Sequence, residues 1–374
     1  MLRAAPQTML TRMPLLEPAF VTLGDLTASS NLHEAATDLI CSALYLCEDL
    51  ARYHELVEYL KTKIYGLGDV YKRAKSDEDI DKCLHLSRLF TELGETLVEI
   101  ICNHPGDGLG ELQTVSLVLE GLDHFDWEVS YVTFNFWYRL TDLLQQNDQN
   151  TETFKPLLEK LLHSLTGLCQ SEPDSLEPPR DDFEDFRFKC VGIVKDITYL
   201  LTGPHCFAIM FNLLKTESAS AECSWDRTEA ILWVLSAIAP LISTKVDCPS
   251  VHDVLNAVFN LPQDAHPCLR LTSLKLIGEL HLWISHNSEN WLEKAVQYLL
   301  AGLTVGPELA IRKDFQLAAG ESMKLLCTSS RRQLSAHYQG LLSATDGILD
   351  QLDWQAAYKM LTGISYVISE GFIC

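Results

Sequence analysis

NLHEAATDLICSALYLCEDL, residues 31–50, decides how the chain is read. Leu32, Ala35, Ala36, Leu39, Ile40, Ala43, Leu44 and Cys47 recur at steps of three and four, the period that gathers side chains on one face of an α-helix. Asn31 stands where an N-cap belongs, and Glu34 completes a capping pair. The same period returns in DKCLHLSRLFTELGETLVEIICN (81–103), with Leu86, Leu89, Phe90, Leu93, Leu97 and Ile101 in register. It returns again in SYVTFNFWYRLTDLL, DRTEAILWVLSAIAPLI, LRLTSLKLIGELHLWIS and LEKAVQYLLAGL. No stretch shows the period-two alternation of a strand or a hairpin turn.

Between these helices lies turn chemistry: NHPGDGLG (103–110), QQNDQN (145–150), SEPDSLEPPR (171–180), LTGPH (201–205), KVDCPS (245–250), LPQDAHP (261–267) and HNSEN (286–290). The spacing predicts about 14 or 15 helices. Two helices every ~40–47 residues is the HEAT or armadillo interval. The expected fold is therefore an all-α superhelix of about seven helical hairpins, with an irregular helical bundle as the alternative. Polar residues inside second helices, as in YRLTDLL and RLTSLKL, fit the inter-repeat links of such arrays. The expected organisation is an atypical N-terminal segment at 1–20, repeats over 21–171, an acidic, proline-rich loop at 172–182, and repeats over 183–374. A solenoid buries each repeat only against its neighbours. The apolar end SYVISEGFIC and the unprepared start read as cuts through a longer array.

The chain has 374 residues, 47% of them hydrophobic, and carries 29 basic against 51 acidic residues, a net charge of −22. So acidic a surface repels phosphates and anionic lipid, which argues against direct nucleic-acid or membrane binding and favours basic partners. Twelve cysteines are scattered without a CxxC pair, which reads as free thiols in a reducing compartment. The N-terminal MLRAAPQTMLTRMPLLEPAF is broken by Pro6 and Pro14 and reads as an atypical chain start rather than a targeting presequence. No apolar run reaches the ~18 residues of a membrane span.

Enzyme constellations fail in turn. There is no GxSxG. Cys206 and His205 are adjacent, which points their side chains apart on a helix. His281 and His286 are five apart and no HExxH occurs; His33, His54, His85 and His104 fall in different repeats or at helix ends. GDGLGE (106–111) has no preceding strand, and Asp107 and Glu111 would repel a phosphate. The aromatic cluster FNFWYRL (134–140) reads as inter-repeat core. No catalytic, cofactor-binding or metal-binding residue is assigned, and no cofactor is expected.

DDFEDFRF (181–188) keeps three readings open: a metal or catalytic site, a contact for a basic partner, or a helix start. Phe183 and Phe186 continue the stripe of Cys190, Ile193, Val194, Ile197 and Leu201, so a helix over 182–201 is expected with acids in its first turn. Carboxylates there are favoured by the helix dipole by ~0.3–1 kcal/mol each. That does not account for the acids Glu172, Asp174 and Glu177 upstream, which Arg180 and Arg187 only partly offset. A metal site would need convergent partners that the rest of the chain does not offer.

HEAATDLICSALYLCED, LFTELGETLVEIIC, GLGEL, VSYVTFNFWYRL, DDFEDFRFKCVGIVKDITYLL and WDRTEAILWVLSAIA together resemble the central portion of the transportin-3/importin-13 branch of the importin-β-like karyopherins. The resemblance runs from about residue 30 to beyond 340. It implies a HEAT superhelix without enzymatic activity that shuttles between cytoplasm and nucleus and imports serine/arginine-rich proteins under control of the Ran GTPase. By the same resemblance Asp181, Asp182, Glu184 and Asp185 are the candidate contacts to Ran or a basic cargo. The repeats that form the family's first Ran site and bind nucleoporins are not matched, nor is its arginine-rich cargo helix; Arg331 and Arg332 are the only late arginine pair. The implied function is nuclear import; the alternatives are a generic HEAT-repeat scaffold and a truncated karyopherin that does not act alone.

Overall fold

The computed structural model describes residues 13–371 except 48, 221–222, 247, 263 and 305–310, and the side chains in that range except those of 148, 181, 288 and 290. Every regular element among the described residues is a helix, arranged as an all-α, HEAT-type array of antiparallel hairpins. Two compact units divide it at Leu168/Cys169.

The first unit contains α1 (Glu17–Gly24), α2 (Ser30–Tyr45), α3 (Leu50–Tyr65), α4 (Gly68–Ser76), α5 (Ile80–Asn103), α6 (Gln113–Leu122), α7 (Trp127–Tyr131), α8 (Phe134–Gln146) and α9 (Thr151–Leu168). α2, α5 and α8 stack in order as one layer, with α3, α6 and α9 behind them. α5 follows its sequence pattern closely. Asp79 caps it by accepting from the Lys82 amide at 3.2 Å, and Leu86, Leu89, Phe90, Leu93, Leu97 and Ile101 are all fully buried. The helix ends at Asn103, and in the turn that follows Gly106 takes φ +87°, a conformation a β-carbon would strain.

α2 departs from the expected face. It starts at Ser30 behind Ser29, not behind Asn31. Leu32 and Leu39 are 55% and 43% exposed, while His33 and Thr37 are fully buried beside Ile40, Cys41 and Leu44. Thr37 Oγ1 donates to the His33 carbonyl at 3.0 Å, which removes the cost of its burial. Polar residues that pair internally thus displaced two leucines from the core.

The second unit contains α10 (Asp181–Leu201), α11 (Gly203–Ala219), α12 (Trp225–Ile238), α13 (Pro249–Phe259), α14 (Pro267–Glu279), α15 (His281–His286), α16 (Ser288–Leu303), α17 (Arg312–Ser329), α18 (Arg331–Ser335), α19 (Tyr338–Asp346) and α20 (Trp354–Gly371). α10, α12, α14, α17 and α20 stack in order as one layer. Among the described residues the first unit holds three hairpins followed by α9, and the second holds α10 followed by four. Two of the helices beyond those expected arise because single periodic runs break in two: SYVTFNFWYRLTDLL at residues 132–133, and LRLTSLKLIGELHLWIS at Leu280.

Small residues and hydroxyls let successive helices approach. A β-carbon on Gly363 would lie 2.8 Å from the Lys324 backbone, and one on Gly320 would lie 2.9 Å from the Ala356 carbonyl. Ser322 Oγ donates across repeats to the Leu274 carbonyl at 2.9 Å. In the first unit, Arg139 of YRLTDLL donates to the Glu95 carbonyl at 3.2 Å, linking α8 to α5. FNFWYRL buries Phe134, Phe136 and Trp137, and the exposed Tyr131 packs against Phe134 with ring centroids 5.4 Å apart.

Candidate partner-binding face

Residues 169–180 open the second unit and are tied down along the N-terminal ends of three of its helices. The Trp225 indole donates to the Pro173 carbonyl at 2.9 Å at the start of α12. His266, at the start of α14, stacks on Trp225 with ring centroids 3.6 Å apart and hydrogen-bonds the Ser175 backbone. Arg180 reaches Asp314 at the start of α17 at 3.2 Å. Gln170 donates to the fully buried Asp226. The loop is thus held in place while Glu172, Asp174 and Glu177 face solvent.

α10 begins directly after it. Asp182 and Asp185 are exposed and Glu184 is half-buried. None of the three forms an ion pair with another described side chain. The Asp181 side chain lies outside the described residues. Phe186 is buried and Phe183 half-buried against it, ring centroids 6.2 Å apart. Among the described residues no group of three or more His, Cys, Asp or Glu could hold a metal, and no single helix is long and apolar enough to cross a membrane.

Arg187 does not offset those acids at the surface. It turns inward, 2% exposed, and its Nη2 donates to both carboxylate oxygens of Glu229 at 3.0 and 2.8 Å. Thr272 Oγ1 donates to the same carboxylate at 2.6 Å. One ion pair therefore stitches α10, α12 and α14. The Arg187 guanidinium also lies 4.4 Å from the Trp233 ring centroid. Behind it, Cys169 and Cys190 are both fully buried. The hydrogen bond from Cys190 pulls the Cys169 thiol down, while burial pushes Cys190 up.

Above this network a groove of about 410 Å³ runs across α10, α12, α14 and α17. Its walls are mostly apolar, from Phe188, Val191, Trp233, Pro240 and Leu325, with Lys195, Lys275, Glu279 and Glu321 among them. Phe188, 53% exposed, meets Trp233 edge-to-face at 5.4 Å. The Lys275 ammonium lies 5.5 Å from the Trp233 centroid and makes no ion pair or hydrogen bond with a described residue. Burial lowers its pKa. The Trp233 indole N–H is buried without an acceptor.

The first unit carries a second cavity, about 390 Å³, between α2, α3, α5 and α8. Glu92, Glu95 and Glu99 line it at helical spacing. Burial, then the neighbouring Glu95, raises the Glu92 pKa. The i, i+3, i+7 acids in FTELGETLVE were the available signal for it. His33 and His85, assigned to separate repeats by sequence, also meet: their Nδ1 atoms are 3.3 Å apart with rings stacked, and the other nitrogen of His33 faces the Leu23 carbonyl.

Hairpins stacked in this way define a HEAT-type α-helical array. Residues 78–167 match the second TPR domain of transportin-3/importin-13, and residues 249–344 match the third. Uncharacterized protein C11G11.07 of Schizosaccharomyces pombe is 24% identical over 364 residues, 91% of this chain and 36% of that protein. Transportin MOS14 of Arabidopsis thaliana is 22% identical over 370 residues, 90% of this chain and 36% of that protein. The structure of importin 13 in its cytosolic state superposes with a TM-score of 0.82 at 18% identity, covering 98% of this chain and 45% of that one. Kap121p bound to Pho4p superposes with a TM-score of 0.66 at 16% identity, covering 95% and 34%. Two domain models of the transportin-3/importin-13 branch of the karyopherins thus match separate stretches of the chain, and the match falls on the second and third of that branch's domains. The chain spans about a third of the length of the curated relatives it matches.

Proposed function

We propose that the chain is the central part of a nuclear import receptor, and that it works by binding rather than by catalysis. Its partners in this reading are the Ran GTPase and serine/arginine-rich cargo proteins, both of which offer basic surface to an acidic array. The receptor shuttles between cytoplasm and nucleus, and contacts to nucleoporins belong to repeats outside this segment. Ran and cargo binding are linked, so that GTP-bound Ran releases cargo through its differential affinity for two conformations of the array.

The observation that carries this reading is the acidic start of α10. Asp182, Glu184 and Asp185 are left unpaired beside the tied-down Glu172–Glu177 loop. A structural helix start needs one or two acids; it does not need a further set held in a fixed, solvent-facing loop. Asp181 joins the set by its position in the same turn. A pull-down on the full-length parent protein with GTP-bound Ran and with an arginine/serine-rich domain tests the proposal. Capture of both, with Ran displacing the domain, supports it; capture of neither by the full-length protein overturns it.

A further inference from the structure

The groove across α10, α12, α14 and α17 differs in chemistry from the acidic start of α10. Its mostly apolar lining carries two lysines, Lys195 and Lys275, and two glutamates, Glu279 and Glu321, and the buried Arg187–Glu229 pair lies near Lys275. Glu229 is already committed to Arg187 and Thr272. Lys275 is left without an anion, although half-buried ammonium groups are costly unless paired. Its only close partner is the face of Trp233.

The surrounding acids do not supply the missing charge. Glu321 pairs with Lys359 at 2.5 Å and with Lys324 at 3.3 Å. Glu279 has Lys195 as its nearest cation, and burial favours its neutral form. Glu184 is near enough to influence Lys275 electrostatically but makes no ion pair with it. Meanwhile Phe188 stands half out of the surface beside an apolar wall, and the Trp233 N–H lacks an acceptor. One unpaired cation and an open apolar wall in a cavity of side-chain size form a two-point receptor.

We propose that this groove docks a segment of a protein partner that presents one carboxylate beside an apolar side chain, the carboxylate meeting Lys275 and the apolar group meeting Phe188 and Trp233. The site is separate from the acidic start of α10 in charge and in ligand, and it stands whether or not that surface binds Ran. It gives the chain a means of choosing among partners that basic charge alone would not distinguish.

Fluorescence anisotropy on the 374-residue chain tests this with two dye-labelled ten-residue peptides. Each carries Leu and Phe flanking one central residue in a Gly/Ser background, with Asp in one peptide and Asn in the other. The Asp peptide should bind at least about tenfold more tightly than the Asn peptide, roughly 1.4 kcal/mol. Lys275→Met should bring the ratio to about one, and Lys275→Arg should preserve it. Phe188→Ala should weaken both peptides several-fold. Equal affinity of the two peptides for the wild-type chain overturns the proposal, as does no binding of either at millimolar concentration. So does a ratio that survives Lys275→Met in a variant whose circular dichroism is unchanged. Concentration-dependent self-association of the chain that Lys275→Met abolishes would make a second copy the occupant and overturn the assignment to a partner protein. The wild-type comparison needs no variant, so a misfolded Lys275→Met does not shield the proposal.

Discussion

Arg187 and Glu229 meet at 2.8 Å with side chains only 3% exposed each, and between them they join three consecutive helices of one layer. Removing one partner of a buried pair leaves an uncompensated charge, which costs ~3–5 kcal/mol. Arg187→Met should therefore lower the urea-unfolding free energy by about that amount. Arg187→Met combined with Glu229→Gln should recover part of the loss. A double variant less stable than the single one would mean that the guanidinium contributes through its packing on Trp233 alone.

The His33–His85 contact makes stability depend on pH. Burial lowers the pKa of both rings, and the neighbouring His85 adds to the effect in His33. A folded pKa below the unfolded value of ~6.5 means that the unfolded chain binds protons first as pH falls. The stabilisation is complete above ~6.5 and is lost as pH drops through the lowered folded values, at up to ~1.4 kcal/mol per pH unit for each proton. His124, His266 and His281 are shifted the same way by burial. The melting temperature should fall between pH 7.5 and pH 5, and His33→Asn with His85→Gln should flatten that slope. An unchanged slope in the double variant would remove this pair from the explanation.

Thr202 sits between α10 and α11 with φ +75° and ψ +143°, a region that a β-branched residue enters only under strain. Thr202→Gly should relieve it and stabilise the fold by ~1 kcal/mol, net of the added chain entropy. Thermal unfolding reads the sign directly.

Gly320 and Gly363 set the approach of α17 and α20. A β-carbon at either position meets backbone at 2.8–2.9 Å. Gly320→Ala and Gly363→Ala should each cost ~1–3 kcal/mol as the helices separate, whereas Gly24→Ala, with nothing within 4 Å, should not destabilise.

Much of this architecture is legible in the sequence because helical period and turn chemistry are local. The α5 stripe and the breaks at 104–107, 169–180 and 260–266 follow from them directly. What escaped depends on cross-repeat partners. Arg187 reads as a surface charge among acids until Glu229, 42 residues away, is placed beside it. His33 reads as a polar interruption until His85 stacks on it, and that pairing is what rotates the buried face of α2. The groove at Lys275 has no sequence signature, since its walls come from four helices.

The most direct test of the central claim reverses the charges of Asp181, Asp182, Glu184 and Asp185 to lysine in the full-length receptor. Affinities for GTP-bound Ran and for an arginine/serine-rich domain are then measured by titration calorimetry at two salt concentrations. The account predicts at least a tenfold loss for one of these partners and a shallower salt dependence, with the array still folded by circular dichroism. Unchanged affinity for both would contradict it and leave those acids as a helix start alone.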